Sequence, residues 1–341
     1  MDTGSAASTG CAVANDPVPA LPGATCRSPT AGSRRSARSR ACSRAPEPIT
    51  RMRTSGRVSG AGDRPNTPGR SKAPEPCHPY PVAELLTVDE LIPVLEGEAK
   101  NLAAEAERIL LSDQVPTCPL WTVRDLVVHL GGAHRWATDI VTRRLLQDSS
   151  EQEQAALLAP PRDPDQLLPW FRSGAGQLVR ALAEAPDDLR AFVFLKGAPP
   201  ARQFWARRQA HETTIHRVDV LAARLGRIPS TSEASISTAV AVDGIDELVN
   251  GFVPRRSSRL RTDEPFRMTI APSDVRVAWT VAVSDQPPVV TPGADPDAHA
   301  TLTGTAAAIY LGLWNRGDDI AENGTVDALG HWREQVRIAW S

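Results

Sequence analysis

From residue 82 onward, apolar residues recur at intervals of three and four, the spacing of helices that bury one face. Thr87 and Glu90 in TVDEL make a capping-box pattern that opens a first helix running to about residue 111. VPTCP then breaks the chain, and Thr122 with Asp125 repeats the capping pattern to open a second helix over about 123–146. The proline-rich stretch LAPPRDPDQ leads to a third helix over about 165–184, with Pro169 in its first turns, where proline is tolerated. A partly apolar connector, LRAFVFLKGAPP, precedes a fourth helix over about 201–225, and Gly226 suits the left-handed residue that ends it. Four long helices joined by mixed loops predict an up-and-down four-helix bundle.

Beyond Pro229 and Ser230 the period changes. One more helix is predicted over about 233–250. FRMTIAP, VRVAWTVAV and HATLTGT then alternate apolar and polar residues, as half-buried strands do. Two short helices, in TAAAIYLGLWNRG and DALGHWREQV, close the chain. The expected fold class is α plus α+β. A bundle over 82–228 is followed by a small α+β domain over 229–341, an ordinary domain size. No internal repeat is present.

The first 80 residues carry no such pattern. They are dominated by Ser, Arg, Pro, Gly, Ala and Thr, and cannot bury enough surface to offset chain entropy. A disordered tail over 1–80 is expected, with Met52 as an internal alternative start. The formal net charge of −2 hides a split: the tail holds 12 basic and 5 acidic side chains, the remainder 26 and 35. The acidic folded part argues against binding a phosphate backbone. Of the five cysteines (Cys11, Cys26, Cys42, Cys77 and Cys118), no two form a CxxC, so neither a disulfide framework nor a zinc ribbon follows. No run of 18 apolar residues marks a membrane span, and the N-terminus lacks the order of a signal peptide. A cytoplasmic location is expected.

The candidate chemistry lies on two of the helices. In WTVRDLVVHLGGAHRW, Leu126, His129, Ala133 and Trp136 share an inward stripe, whereas His134 falls outside it and reads as surface. In RRQAHETTIHRVD, Glu212 and His216 are one turn apart on one face. This is not the HExxH metalloprotease motif: His211 and His216 are five apart and diverge, so Glu212 is the ligand candidate rather than a general base. Bland readings exist for each residue. A lone inward His is more often a hydrogen-bonded core residue, and Glu212 could simply pair with Arg208 on a solvated face. However, the apolar residues of this helix form no clean stripe without the Glu212/His216 side, and a carboxylate in a bundle core needs a partner or a metal. With His129 the pair makes a His/Glu/His set, which leaves one position open on a tetrahedral divalent ion. Asp219, one turn beyond His216, either orients that imidazole or is a surface charge. Cys118 reads as a small turn residue, since nothing basic adjoins it in sequence.

At this point VPTCPLWTVRDLVVHLGGAHRWA and FWARRQAHETTIHRVDVLAARLG resemble the mycothiol-dependent maleylpyruvate isomerase family in order, spacing and helix placement. The resemblance covers about 82–341. It implies a DinB-like metal-binding bundle. From DGIDELV through TLTGTAAAIYLGLWNRGDD, it implies a smaller domain related to sterol-carrier-type folds. In the family a divalent metal, taken as zinc, is held by a His of the second helix and a Glu and a His of the fourth. Carried over, these are His129, Glu212 and His216, the set reached from spacing.

The resemblance further implies mycothiol as the thiol cofactor and a small electrophilic substrate. Its thiolate would add to a cis double bond, rotation would follow, and elimination would give the trans product. Arg208 is the expected catalytic cation for an anionic substrate by helix phase, with Arg202 and Arg207 as alternatives. No residue read alone specifies the substrate, or chooses isomerisation over S-transfer. Two other classes stay open: a hydrolase-type enzyme activating water on the same ligands, and a non-catalytic protein binding a metal or an apolar ligand.

Overall fold

The computed structural model describes residues 83–148, 150–195 and 197–336. The tail expected over 1–80 lies outside the described residues. Helix α1 (Val88–Ala106) opens on the expected cap, with the Thr87 amide donating to Glu90 Oε2 at 2.8 Å. It ends a turn earlier than expected, because the Leu110 amide turns back to the Asp113 carboxylate. The apparent break at VPTCP is instead a short antiparallel hairpin, β1 (Gln114–Val115) with β2 (Cys118–Thr122). It leads straight into α2 (Val123–Arg143), capped by Thr122 and Asp125 as read from the sequence. An unexpected helix, α3 (Glu151–Leu158), follows; its Ser150/Glu153 capping box was visible in the sequence. Next come α4 (Leu167–Glu184) and α5 (Ala201–Leu225), which ends on Gly226 at φ 67°. Around the bundle α1 packs on α5 and α4, and α2 packs on the same two helices.

The single helix expected over 233–250 is broken. Ser235 adopts a left-handed conformation and separates α6 (Thr231–Ala234) from α7 (Thr238–Asp246). The chain then widens into a π-helical turn over Glu247–Phe252. A five-stranded sheet follows, in the order β5-β4-β3-β6-β7. It comprises β3 (Phe266–Pro272), β4 (Trp279–Val283), β5 (Val289–Pro292), β6 (Ala300–Gly304) and β7 (Ala321–Gly324). β3 and β6 run parallel and the other pairs antiparallel. The short edge strands β5 and β7 have too few residues to show a period. Helix α8 (Ala306–Leu313) joins β6 to β7, and α9 (Ala328–Gln335) ends the described chain. The chain is thus a helical N-terminal region followed by a small sheet-containing region. No described helix is long and apolar enough to cross a membrane.

Helix α5 explains its own puzzling sequence. Every residue from Phe204 to Ala222 is buried, because the bundle covers one side and the C-terminal region the other. A helix buried all round shows no stripe. Polar side chains on its second side are paired across the seam. Arg207 donates to Asp243 at 2.7 Å and to Asp246 at 3.1 Å, and His211 meets Asp243 at 2.6 Å and the Tyr310 hydroxyl at 3.2 Å. One apolar core runs through both regions, from Leu91 and Trp205 to Ile245, Met268 and Trp332.

Candidate metal centre

Helices α2 and α5 bring His129, Glu212 and His216 together. Each imidazole Nε2 lies 3.2 Å from Glu212 Oε1, and the three ligand atoms all fall within 4.8 Å of one another. All three residues are at most 9% exposed, so the cluster is set into the bundle rather than scattered on its surface. The second oxygen of Glu212 is taken: Arg208 Nη2 donates to Oε2 at 2.9 Å. Behind His216, Nδ1 is 2.9 Å from Asp219 Oδ2. A carboxylate only accepts, so Nδ1 carries the proton and Nε2 is the ring atom turned toward Glu212.

Asp219 is itself held on several sides. Thr117 Oγ1 donates to Oδ1 at 2.5 Å, Arg316 donates to its two oxygens at 3.0 and 3.1 Å, and the Cys118 thiol lies 3.7 Å away. The hairpin therefore delivers Thr117 and Cys118 to the back of the site. It also packs Trp121 against both imidazoles, with ring centroids 4.8 Å from His129 and 5.9 Å from His216.

These contacts set the charges. Burial opposes ionisation of Glu212, yet Arg208 and the two imidazoles outweigh it and hold the carboxyl well below its ordinary range. Burial likewise opposes the Asp219 carboxylate, and Arg316 with His216 overrides it and lowers that group. Burial lowers His129. For His216 burial is again the largest effect, but hydrogen bonds to Asp219 and Glu212 exceed it and raise the imidazole to about 9.

The residues fit a divalent cation. Ligands about 2.0–2.1 Å from a tetrahedral ion stand roughly 3.3 Å apart; the carboxylate oxygen stands 3.2 Å from each imidazole nitrogen, and all three donor atoms lie within 4.8 Å of one another, so two of the three separations match. The Asp219–His216 bond is the kind of outer contact that orients a ligating histidine. Among the described residues this is the one His/Cys/Asp/Glu group of three that converges in this way.

Three expectations from the sequence need correction or refinement. His134 is not on the surface: it is fully buried, Nε2 meets Thr213 Oγ1 at 2.9 Å, and burial lowers it to about 3. A single inward stripe could not foresee it, because α2 packs on both α4 and α5. Cys118 does have a basic neighbour, since Arg316 donates to its sulfur at 3.2 Å from 198 residues along the chain. Arg208 is brought to the cluster but is 1% exposed, and it stands behind Glu212 with Glu247 on its other side at 2.5 Å. Of the alternatives, Arg202 is tied to Leu182 and Asp187, and Arg207 to the Asp243 seam. Arg316, Glu247 and Trp121 were not singled out in the sequence. The first two come from the C-terminal region, where no spacing rule links them to α5.

The N-terminal domain model of mycothiol maleylpyruvate isomerase matches residues 95–221, and the MDMPI C-terminal domain model matches residues 239–331. Among solved structures, a mycothiol-dependent maleylpyruvate isomerase aligns at 14% identity over 71% of this chain and 95% of that one, with a TM-score of 0.48. A histidine-to-alanine variant of such an isomerase aligns at 15% identity and the same score. A sec-alkylsulfatase from Pseudomonas sp. aligns over 33% of its own length, at 11% identity and a TM-score of 0.26. No curated protein matches the sequence. The two family models follow one another in order and between them span the bundle, the donor cluster and the sheet, so this chain belongs to the mycothiol-dependent maleylpyruvate isomerase family.

Proposed function

We propose that the protein is a metal- and mycothiol-dependent enzyme that adds a thiolate to an electrophilic double bond, with cis–trans isomerisation of a maleylpyruvate-like substrate as its reaction. The observation that carries this reading is the His129/Glu212/His216 cluster. It has three converging donors, one oriented from behind by Asp219, with the Trp121 ring packed against both imidazoles. His129, Glu212 and His216 would hold a divalent ion, zinc on the family's pattern, which would supply an electrophilic centre that favours the deprotonated form of a thiol.

The chain's own residues do the rest. Glu212 stays ionised at neutral pH and contributes one negative charge to the centre. Asp219 keeps the His216 Nδ1 proton in place, so that Nε2 faces inward. Trp121 packs against both imidazoles and supplies an apolar ring beside the donors. Arg316 is the less enclosed of the two arginines, its side chain 16% exposed against 2% for Arg208, and is assigned to an anionic substrate on that ground, while the same guanidinium fixes Asp219 and Cys118. In the reaction the thiol sulfur bonds to one alkene carbon and the π pair moves onto the adjoining conjugated carbonyl. The resulting single bond rotates, and expulsion of the thiolate restores the double bond in the trans form.

The test is turnover of maleylpyruvate and a small panel of electrophiles by the zinc-loaded protein, with and without mycothiol. Activity should need both, and His216→Ala should lose metal and activity together. Full turnover in thiol-free buffer would rule out this mechanism and favour metal-bound water as the nucleophile. Thiol consumption with a different acceptor would keep the mechanism and change the substrate.

A further inference from the structure

We propose that Arg208 and Glu247 act as a positioning pair that holds Glu212 to one-oxygen ligation, and so keep the fourth position of the centre open. The inference rests on the metal reading above and deepens it. Glu212 is the ligand on which coordination number turns, because a carboxylate binds a divalent ion through one oxygen or through both. With both oxygens engaged, two imidazoles and one carboxylate already fill four positions, and a thiol has to enter as a fifth ligand.

The structure separates the two oxygens. Oε1 faces both imidazoles at 3.2 Å, while Oε2 accepts from Arg208 Nη2 at 2.9 Å. Arg208 is not a mobile surface side chain that could release it. Its other terminal nitrogen donates to Glu247 Oε2 at 2.5 Å, and its guanidinium lies 5.2 Å from the Phe252 ring and 5.6 Å from the Trp314 ring. Both partners of the Arg208–Glu247 pair are at most 3% exposed. A planar guanidinium can hold two carboxylates on its two terminal nitrogens at once, which a lysine cannot do in the same geometry.

Glu247 opens the π-helical turn, and Phe252 closes it. π-turns inside helices are uncommon and often sit at functional positions. Here the turn belongs to the C-terminal region, so that region reaches through Arg208 to the ligand on α5. Charge points the same way. A buried cation beside a divalent ion would weaken metal binding, and Glu247 offsets it.

Two variants of the full chain, titrated with cobalt(II) alone, separate geometry from charge. The parent should bind one equivalent and show the intense visible bands of a four-coordinate ion. Glu247→Gln keeps an acceptor for Arg208 but removes a charge. Its bands should be unchanged while affinity falls about tenfold or more, within the range seen when outer contacts to metal ligands are removed. Arg208→Met combined with Glu247→Gln leaves the net charge as it was and frees Oε2. Its affinity should stay within about tenfold of the parent, while the bands drop several-fold as Glu212 binds through both oxygens and a retained water brings the ion to five ligands. Parental band intensity in the double variant with cobalt bound would overturn the proposal, as would unchanged affinity in Glu247→Gln. A purely supporting role for the pair would weaken binding in both variants and leave the bands alone. Failure of the parent itself to bind cobalt would overturn the metal reading instead.

Discussion

Asp219 shows how much of the site depends on one residue. It sits at the point where the hairpin, α5 and the C-terminal region meet, and it accepts from Thr117, His216 and Arg316. Asp219→Asn keeps the shape but removes the charge, and its amide can present a donor to Nδ1. The expected result is a ten- to hundredfold loss of zinc affinity, measured by competition with a chelator. Unchanged affinity would mean that Asp219 only ties the regions together. The donor trio was legible in the sequence because Glu212 and His216 are linked by helix spacing and His129 lies on an apolar stripe. Arg316 was not legible, since it lies 97 residues beyond Asp219 and only the fold brings them together. Arg208 was half legible: phase placed it next to Glu212, but phase cannot tell a substrate-facing arginine from one locked behind a ligand.

Among the elements, α7 packs tightly against α8 at Gly244. Gly244 on α7 faces the buried His211–Tyr310 pair. A Cβ there would lie 2.3 Å from a Tyr310 ring carbon and 2.9 Å from His211 Nδ1. Its backbone is ordinary helix, so this glycine serves close packing rather than conformation. Gly244→Ala should destabilise the fold by about 1–3 kcal/mol through overpacking, seen as a lower midpoint in urea with an unchanged slope. A midpoint equal to the parent's would show that Tyr310 can move aside. Elements were read best where a cap and a period coincide, as at Thr122 and Asp125. They were read worst where side chains carry no period. The hairpin over 114–122 has only a two-residue first strand, and the 233–250 helix is broken by one left-handed serine.

Across the whole molecule, the bundle and the C-terminal region meet through a charged seam as well as a shared apolar core, and this makes the fold sensitive to acid. Asp243 lies at its centre, with Arg207 and His211 on one side and the Leu86 amide donating at 2.8 Å. Burial works against its charge, but hydrogen bonding and attraction from His211 and then Arg207 prevail and hold it at about 2. The ordinary value in an unfolded chain is about 3.9. A carboxyl whose folded value is depressed favours the folded state above its unfolded value, and that contribution disappears as pH falls through the folded value. Asp243 should therefore contribute on the order of 2 kcal/mol at neutral pH, lost between about pH 4 and pH 2. Asp243→Asn cannot titrate, so its stability deficit relative to the parent should shrink as pH falls below about 4. Urea unfolding of the two proteins at matched pH values, both stripped of metal with a chelator, measures this directly. A deficit that stays constant down to pH 3 would show that the seam is held by packing, with the Asp243 charge contributing nothing.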